Sequence, residues 1–234
     1  METFTFKKVD SPELLQESFK LRFQVYCKEC NFIKEEEYPQ HFENDGFDED
    51  SLHFVALDSI DTVVGAVRLI LPRVTKFPIE DHCPHLEIDK NNFDRSKAAE
   101  VSRLVISKLL RRRSGDGLYY EQKIADKPSR DDQEGIFFRR IRPMAFGLYR
   151  EMYHESKRRD IRYWFALMEK KLWLLLKLHG FIFKPIGEEV DFYGLVRPYL
   201  ADLVEMENLV HGKFPKFFEY FMEGLELEFQ PKFG

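Results

Sequence analysis

The stretch "IRYWFALMEKKLWLLLKLHGFIFK", residues 161–184, carries the reading of the fold. Its first eight residues are a short, largely apolar run of strand type. The next twelve, "EKKLWLLLKLHG", set leucines at helical spacing and end on Gly180, a residue suited to the left-handed turn that closes a helix. "FIFK" then opens a further strand. This is the most apolar part of the chain, yet Glu169, Lys170, Lys171, Lys177 and His179 interrupt it. A segment so charged does not span a bilayer, so no integral membrane segment is expected. A strand, a helix and a strand joined this tightly imply an α/β sheet with helices packed on it.

Working outward, "TFTFKKV" (3–9) alternates as a strand does, and "DSPELLQESFKLRFQVYCKEC" follows as a helix. Ser11 or Asp10 can cap it, Pro12 suits its first turn, and Leu15, Phe19, Arg22 and Tyr26 share one face. Residues 31–50 are polar and without period. "LHFVALD" (52–58) and "TVVGAVRLIL" (62–71) predict two strands joined by a hairpin loop at "SIDT". Residues 72–97, with three prolines, read as loop, and "AEVSRLVIS" (99–107) as a third central strand. Residues 108–135 are charged and irregular, and a helix is predicted over 136–158. "FIFKPIG" and "EVDFYGLV" are the last strands, and 199–234 predicts one or two amphipathic helices. The order β–α–loop–β–β–β–α–β–α–β–β gives a sheet of mixed direction. One domain over 1–198, with a helical extension over 199–234 packed on it, is the expected organisation.

At 234 residues the chain can bury a sizeable core, and 23 phenylalanines suggest an aromatic interior or an apolar pocket. A net charge of −5 gives no reason to expect nucleic acid. The start, METFTFKKVD, lacks the apolar run of a secretory leader, so the cytoplasm is the expected location. Cys27 and Cys30 form a C-x-x-C, and Cys83 stands between His82 and His85. These could make a zinc site, but the second half lacks the paired spacing and the first falls inside a helix. Reduced thiols and no metal are expected.

The charges inside apolar runs are harder to explain. Arg22, Arg68, Arg103 and Glu100 all sit in predicted helix or strand. Buried charges are costly unless paired, and three arginines need acceptors. The acidic stretch "HFENDGFDED" (41–50) can supply them through Glu43, Asp45 and Asp48. It is not a calcium loop: with Gly46 at position 6, His41 falls at position 1 and Leu52 at position 12, and neither is a ligand. Glu49 and Asp50 read as solvated turn. The expectation is a clustered Arg/Asp/Glu network with capacity left for a charged substrate group.

The unit at 161–184 resembles the acyltransferase fold of the GCN5-related N-acetyltransferases. "LRFQVYCKECNF", "ENDGFD", "VGAVRLILP" and "EVSR" stand in the order and approximate spacing of the acyl-homoserine-lactone (autoinducer) synthases, which share that fold. The chain is most similar to the acyltransferases associated with PEP-CTERM/exosortase systems, and is related to N-acyl amino acid synthases. The resemblance covers most of residues 5–198. Tyr26 and Phe32 stand where autoinducer synthases carry Phe and Trp, departures that bear on the acceptor rather than on acyl transfer.

The resemblance implies attack of an amine on an acyl thioester, with acyl carrier protein or coenzyme A as carrier of the co-substrate and no bound cofactor. A carboxylate base and fixed oxyanion donors serve that chemistry. Glu100 is the candidate base, with a structural partner of the arginines as the other reading. Ser102 and Arg103 complete the candidate catalytic set. If Glu100 and Arg103 both serve the site, the strand must carry a bulge between them. Asp45 and Asp48 would hold the amine or orient the arginines, and Arg22, Arg68 and Arg103 would order those carboxylates or grip an acceptor carboxylate. Tyr26 and Phe32 would pack over the acceptor or the start of the acyl chain, or simply fill core. Arg111, Arg112 and Arg113 form a basic patch for an acidic carrier protein, though "RRSGDG" (112–117) also fits a pyrophosphate cradle or a solvated loop. Two function classes fit: an N-acyltransferase acting on an amino acid or similar small amine, and a non-catalytic module that binds acyl thioesters.

Overall fold

The computed structural model describes residues 4–89, 92–107 and 144–233. The basic run at Arg111–Arg113 and the charged segment at 108–135 lie outside the described residues. In chain order the elements are β1 (Thr5–Lys8), α1 (Pro12–Phe23), β2 (Ser51–Leu57), β3 (Val63–Ile70), α2 (Pro78–His82) and β4 (Ala98–Ile106). Then come α3 (Met144–Arg158), β5 (Tyr163–Met168), α4 (Lys170–Leu178), β6 (Lys184–Pro185), β7 (Val190–Asp191), β8 (Leu195–Asp202), α5 (Leu203–Lys213) and α6 (Pro215–Met222). The sheet runs β1-β2-β3-β4-β5-β8-β6, with β7 paired to β8. β4 and β5 are parallel, from Ala98 opposite Tyr163 to Val101 opposite Ala166, while β5 and β8 are antiparallel. The result is the expected mixed α/β architecture, with helices flanking the sheet.

Local chemistry accounts for the element ends. Ser11 Oγ accepts the Leu14 N–H at 3.2 Å and Pro12 opens α1. A π-helical turn, Gln24–Glu29, continues α1 and carries Tyr26 and Cys27. Asp58 Oδ1 accepts the N–H groups of Ile60 and Thr62 at 3.0 and 2.9 Å and so shapes the β2–β3 hairpin. Gly180 closes α4 at φ +86, where its N–H reaches the Lys177 carbonyl and the Phe181 N–H reaches that of Leu176. That is the Schellman closure, and a Cβ at Gly180 would stand 2.9 Å from Val210 Cγ2.

Three expectations change. β8 runs over Leu195–Asp202, so the strand expected at "EVDFYGLV" is only the two-residue β7, and the helical tail begins at Leu203 rather than 199. Asp202 caps that tail through the Val204 N–H at 3.0 Å. Pro198 argues against a strand in the sequence because it lacks a ladder N–H. Its carbonyl nevertheless accepts the Ile186 N–H at 3.0 Å. The expected boundary after residue 198 therefore falls inside β8. The third change is α2, within a segment read as loop.

The chain divides into two compact units, the first of Met1–Glu43, Phe54–Ala66 and Leu104–Glu151, the second of Asn44–His53, Val67–Arg103 and Met152–Gly234. In the first, Leu21, Val25, Val55, Leu57, Ala66 and Val105 form a core on which Tyr26 packs. In the second, Ile70, Phe77, Ile79, Cys83, Tyr163 and Phe165 form one core. Phe181, Phe217 and Phe221 meet in edge and tilted ring contacts in the same unit. Trp164, Phe165, Phe181 and Phe183 are all buried.

Candidate functional site

The second unit gathers Asp45, Asp48, Arg68, Glu100, Ser102 and Arg103. The loop before β2 supplies the two aspartates and folds on itself to do so. Asp45 Oδ1 accepts the Phe47 N–H at 2.9 Å, and Asp48 Oδ2 accepts the Asp45 N–H at 2.7 Å. Such local bonds are what Asp favours over helix or strand. They turn one oxygen of each carboxylate toward β3. There Arg68 Nη1 donates to Asp45 Oδ1 at 2.5 Å and to Asp48 Oδ1 at 2.8 Å. Arg68 Nε donates to Ser102 Oγ at 3.0 Å, and Arg103 Nη2 donates to Asp45 Oδ2 at 2.8 Å. His53 Nε2 lies 3.2 Å from the Asp48 carbonyl.

Arg68 is 1% exposed, and its Nη2 is buried with no hydrogen-bond partner among the described residues. A buried guanidinium with spare donors is uncommon, because the group loses its hydration without replacement. The spare N–H groups suit an anionic acceptor such as a carboxylate. Burial pushes the Asp45 carboxyl up, but the Arg68 hydrogen bond and the charges of Arg68 and Arg103 outweigh it and hold the group below the usual range. Asp45 is thus a stable anion.

Glu100 behaves in the opposite way. It is 3% exposed, and burial pushes its pKa up to about 8. The Ile79 N–H, Arg68 and Arg103 pull it down, and Glu80 pushes it further up. Glu100 Oε2 accepts the Ile79 N–H at 2.9 Å, in the first turn of α2. One site therefore holds a fixed carboxylate anion and a carboxyl able to exchange its proton near neutral pH. β4 runs over Ala98–Ile106, and within it Arg103 has a φ of 55, in the left-handed region. For a residue with a Cβ this costs about 1–3 kcal/mol. It also breaks the two-residue alternation that would send Arg103 to the face opposite Glu100.

Arg22, Tyr26 and Phe32 belong to the first unit. Arg22 Nε is paired with Glu43 Oε2, both side chains being almost fully buried, and its guanidinium lies 5.0 Å from the Phe19 ring centre. The Tyr26 and Phe32 rings are 6.2 Å apart, with Tyr26 half-buried and Phe32 exposed. Cys27 and Cys83 are buried and Cys30 is half-buried, and among the described residues no group of three or more His, Cys, Asp or Glu could hold a metal ion. Nor is any described helix long and apolar enough to cross a membrane.

Sequence reasoning missed the contribution of α2. The signal was present in "FPIE", residues 77–80: proline at the first helical position and glutamate at the third. Glu80 Oε2 accepts the Phe77 N–H at 2.7 Å, the half of a capping box that a phenylalanine cap permits.

Comparison with known proteins bears on the fold. The sequence profile of the acetyltransferase (GNAT) domain matches residues 21–121. No curated protein sequence matches the chain. Among solved structures, BjaI, a CoA-dependent acyl-homoserine lactone synthase seen with SAM and isopentyl-CoA, is 16% identical. The match covers 95% of this chain and 90% of BjaI, with a TM-score of 0.60. TofI, seen in a ternary complex with an inhibitor and MTA, is 15% identical over 90% of this chain and 96% of its own, with a TM-score of 0.60. FeeM, an N-acyl amino acid synthase from uncultured soil microbes, is 12% identical over 89% of this chain and 96% of its own, with a TM-score of 0.54. At these identities the likeness establishes the fold.

Proposed function

We propose that the chain is an N-acyltransferase that moves a fatty acyl group from an acyl thioester to the amine of an amino acid or similar small amine. The observation that carries this reading is Glu100: a buried carboxyl with a pKa near 8, on the central strand β4, within the field of Arg68 and Arg103. The matched acetyltransferase profile and the fold shared with acyl-homoserine lactone and N-acyl amino acid synthases support it.

The acceptor arrives as an ammonium ion. Glu100, once ionised, takes its proton directly or through a water, and the nitrogen lone pair attacks the thioester carbonyl. The carbonyl oxygen becomes an oxyanion, for which we assign a backbone N–H of the kinked part of β4 as donor. Collapse breaks the C–S bond, the nitrogen's second proton passes to the leaving thiolate and Glu100 returns its proton to solvent, so that amine and thioester become amide and thiol. Asp45 and Asp48 hold Arg68 and balance its charge, and Ser102 fixes the plane of the guanidinium through Nε. The spare Nη2 of Arg68 receives the acceptor's carboxylate. Of the residues matched by the sequence motif, Tyr26 and Phe32 are assigned to substrate binding on that motif alone, and Arg22, paired with Glu43, is assigned to ordering that carboxylate.

We assign the donor to acyl carrier protein ahead of coenzyme A, through the basic run Arg111–Arg113. The location we assign is the cytoplasm, and the subgroup that of the exosortase-associated acyltransferases. One observation favours a second reading. The bond from Ile79 to a fully enclosed Glu100 is also what a purely structural carboxyl makes, as in a non-catalytic thioester-binding module. Incubation with long-chain acyl carrier protein or acyl-CoA and a mixture of amines, read by mass spectrometry, separates the two. N-acyl products that vanish in Glu100→Gln support the enzyme. Thioester binding with no amine acylated overturns it.

A further inference from the structure

We propose that Glu80 and Arg95 are a positioning pair that sets the orientation of the Glu100 carboxylate through the first turn of α2. This rests on the reading of Glu100 as the base. α2 has five residues and starts after Phe77, and Pro78 at its first position has no N–H to offer. The next N–H, that of Ile79, is the one Glu100 Oε2 accepts. The start of so short a helix needs fixing from outside its own hydrogen bonds. Glu80 Oε2 does this, accepting the Phe77 N–H at 2.7 Å and the Arg95 Nη2 at 3.0 Å. Arg95 also donates through Nη1 to the Val74 carbonyl at 3.1 Å, and its guanidinium lies 4.5 Å from the Phe77 ring centre. One arginine thereby ties residues 74, 77 and 80 together, and the Ile79 N–H is held where the carboxylate of Glu100 meets it.

The pair also tunes charge. The groups acting on Glu100 are Arg68 on β3 and Arg103 on β4, which favour its ionised form, and Glu80 on α2, which opposes it. The Cys83 thiol, at the end of α2, lies within the field of Glu100 in turn. Arg95 faces Glu80 and compensates its charge, so Arg95 acts on Glu100 by way of Glu80. Neither Glu80 nor Arg95 touches substrate in this scheme; both act through α2.

The test follows the Glu100 carboxyl by carbon-13 NMR of labelled glutamate, its signal identified by its loss in Glu100→Gln. Glu80→Gln keeps an acceptor for the Phe77 N–H and removes the charge, so the midpoint falls by about 0.5–1 pH unit. Arg95→Met leaves Glu80 uncompensated, and the midpoint rises by a similar amount, with Arg95→Lys restoring most of it. The double variant behaves like Glu80→Gln alone. Unchanged midpoints in both single variants overturn the proposal, as does an Arg95→Met shift that persists in the Glu80→Gln background. The pH profile of amine acylation is recorded in parallel. If it moves with the titration, pair and base are both supported. If the titration moves and the profile does not, the pair stands and the base assignment falls.

Discussion

Two arginine–carboxylate clusters, built from the same residue types, differ in how far they are closed to water. In the first unit Arg22 and Glu43 are paired at 1% and 2% side-chain exposure. In the second, Arg68 shares Asp45 and Asp48, and Asp45 is shared again with Arg103. Asp45 is 28% exposed, Arg103 25%, and Arg68 Nη2 has no partner among the described residues. A matched pair shut away from water gains orientation of the chain, and little is left over for a ligand. A shared cluster with a spare donor and partial access retains hydrogen-bonding capacity. Exposure and the count of donors against acceptors, rather than charge alone, separate the two clusters, and on the proposed function only the second meets a ligand.

Four measurements can break or sharpen that contrast. The largest effect belongs to the open cluster: Glu100→Gln lowers kcat by about 10²- to 10⁴-fold and changes acyl-thioester affinity little. In wild type, kcat rises with pH through about 8 as Glu100 ionises. A variant with full turnover removes the base from the mechanism.

Next comes the closed pair. Glu43→Ala leaves the Arg22 guanidinium buried beside a lost acceptor and destabilises the fold by about 3–5 kcal/mol in urea unfolding. Replacing both by apolar residues, Arg22→Met with Glu43→Leu, restores most of that. If the single change costs under about 1 kcal/mol, the pair is not structural.

The third is a pH dependence of stability. The folded pKa of Glu100, about 8, exceeds the ordinary value of 4.5, so the folded state holds its proton through that window. The contribution is complete below about pH 4.5 and is lost as the pH rises through 8. Wild type therefore loses roughly 3–5 kcal/mol relative to Glu100→Gln between those limits. Parallel stability curves for the two proteins contradict this. The smallest effect is Arg68→Lys. An ammonium cannot reproduce the planar donors used by Ser102, Asp45 and Asp48, and KM for a carboxylate-bearing acceptor rises about 10- to 100-fold while an uncharged amine is little affected.

Much of this was legible in the sequence, for a physical reason. Arginine in an apolar run must find an acceptor, so Arg22, Arg68 and Arg103 pointed to Glu43, Asp45 and Asp48 before any coordinates. Gly180 announced the end of α4 because few other residues tolerate that turn. What stayed hidden depends on contacts remote in sequence. β8 is held by its ladder to β5 despite Pro198, and no local propensity records that ladder. α2 is too short for a periodic signal and is held by Arg95 from 15 residues beyond Glu80. The left-handed φ of Arg103 carries no mark in "EVSR", since an arginine there is indistinguishable from one in regular strand.

Both tryptophans of the chain lie in the second unit. Trp164 is buried in β5 with Nε1 donating to Ser156 Oγ at 2.9 Å, and Trp173 in α4 stacks on Tyr199 with ring centres 5.8 Å apart. Intrinsic fluorescence is therefore a one-sided reporter. Excited at wavelengths that tyrosine does not absorb, it watches the unit that holds Glu100 and is silent on the unit that holds Arg22 and Glu43. Emission and far-ultraviolet dichroism traces that coincide in Glu43→Ala mean that the chain melts as one cooperative body. An emission trace that lags means that the unit holding Glu100 outlives the unit holding Arg22, a distinction the chain makes readable without any added dye.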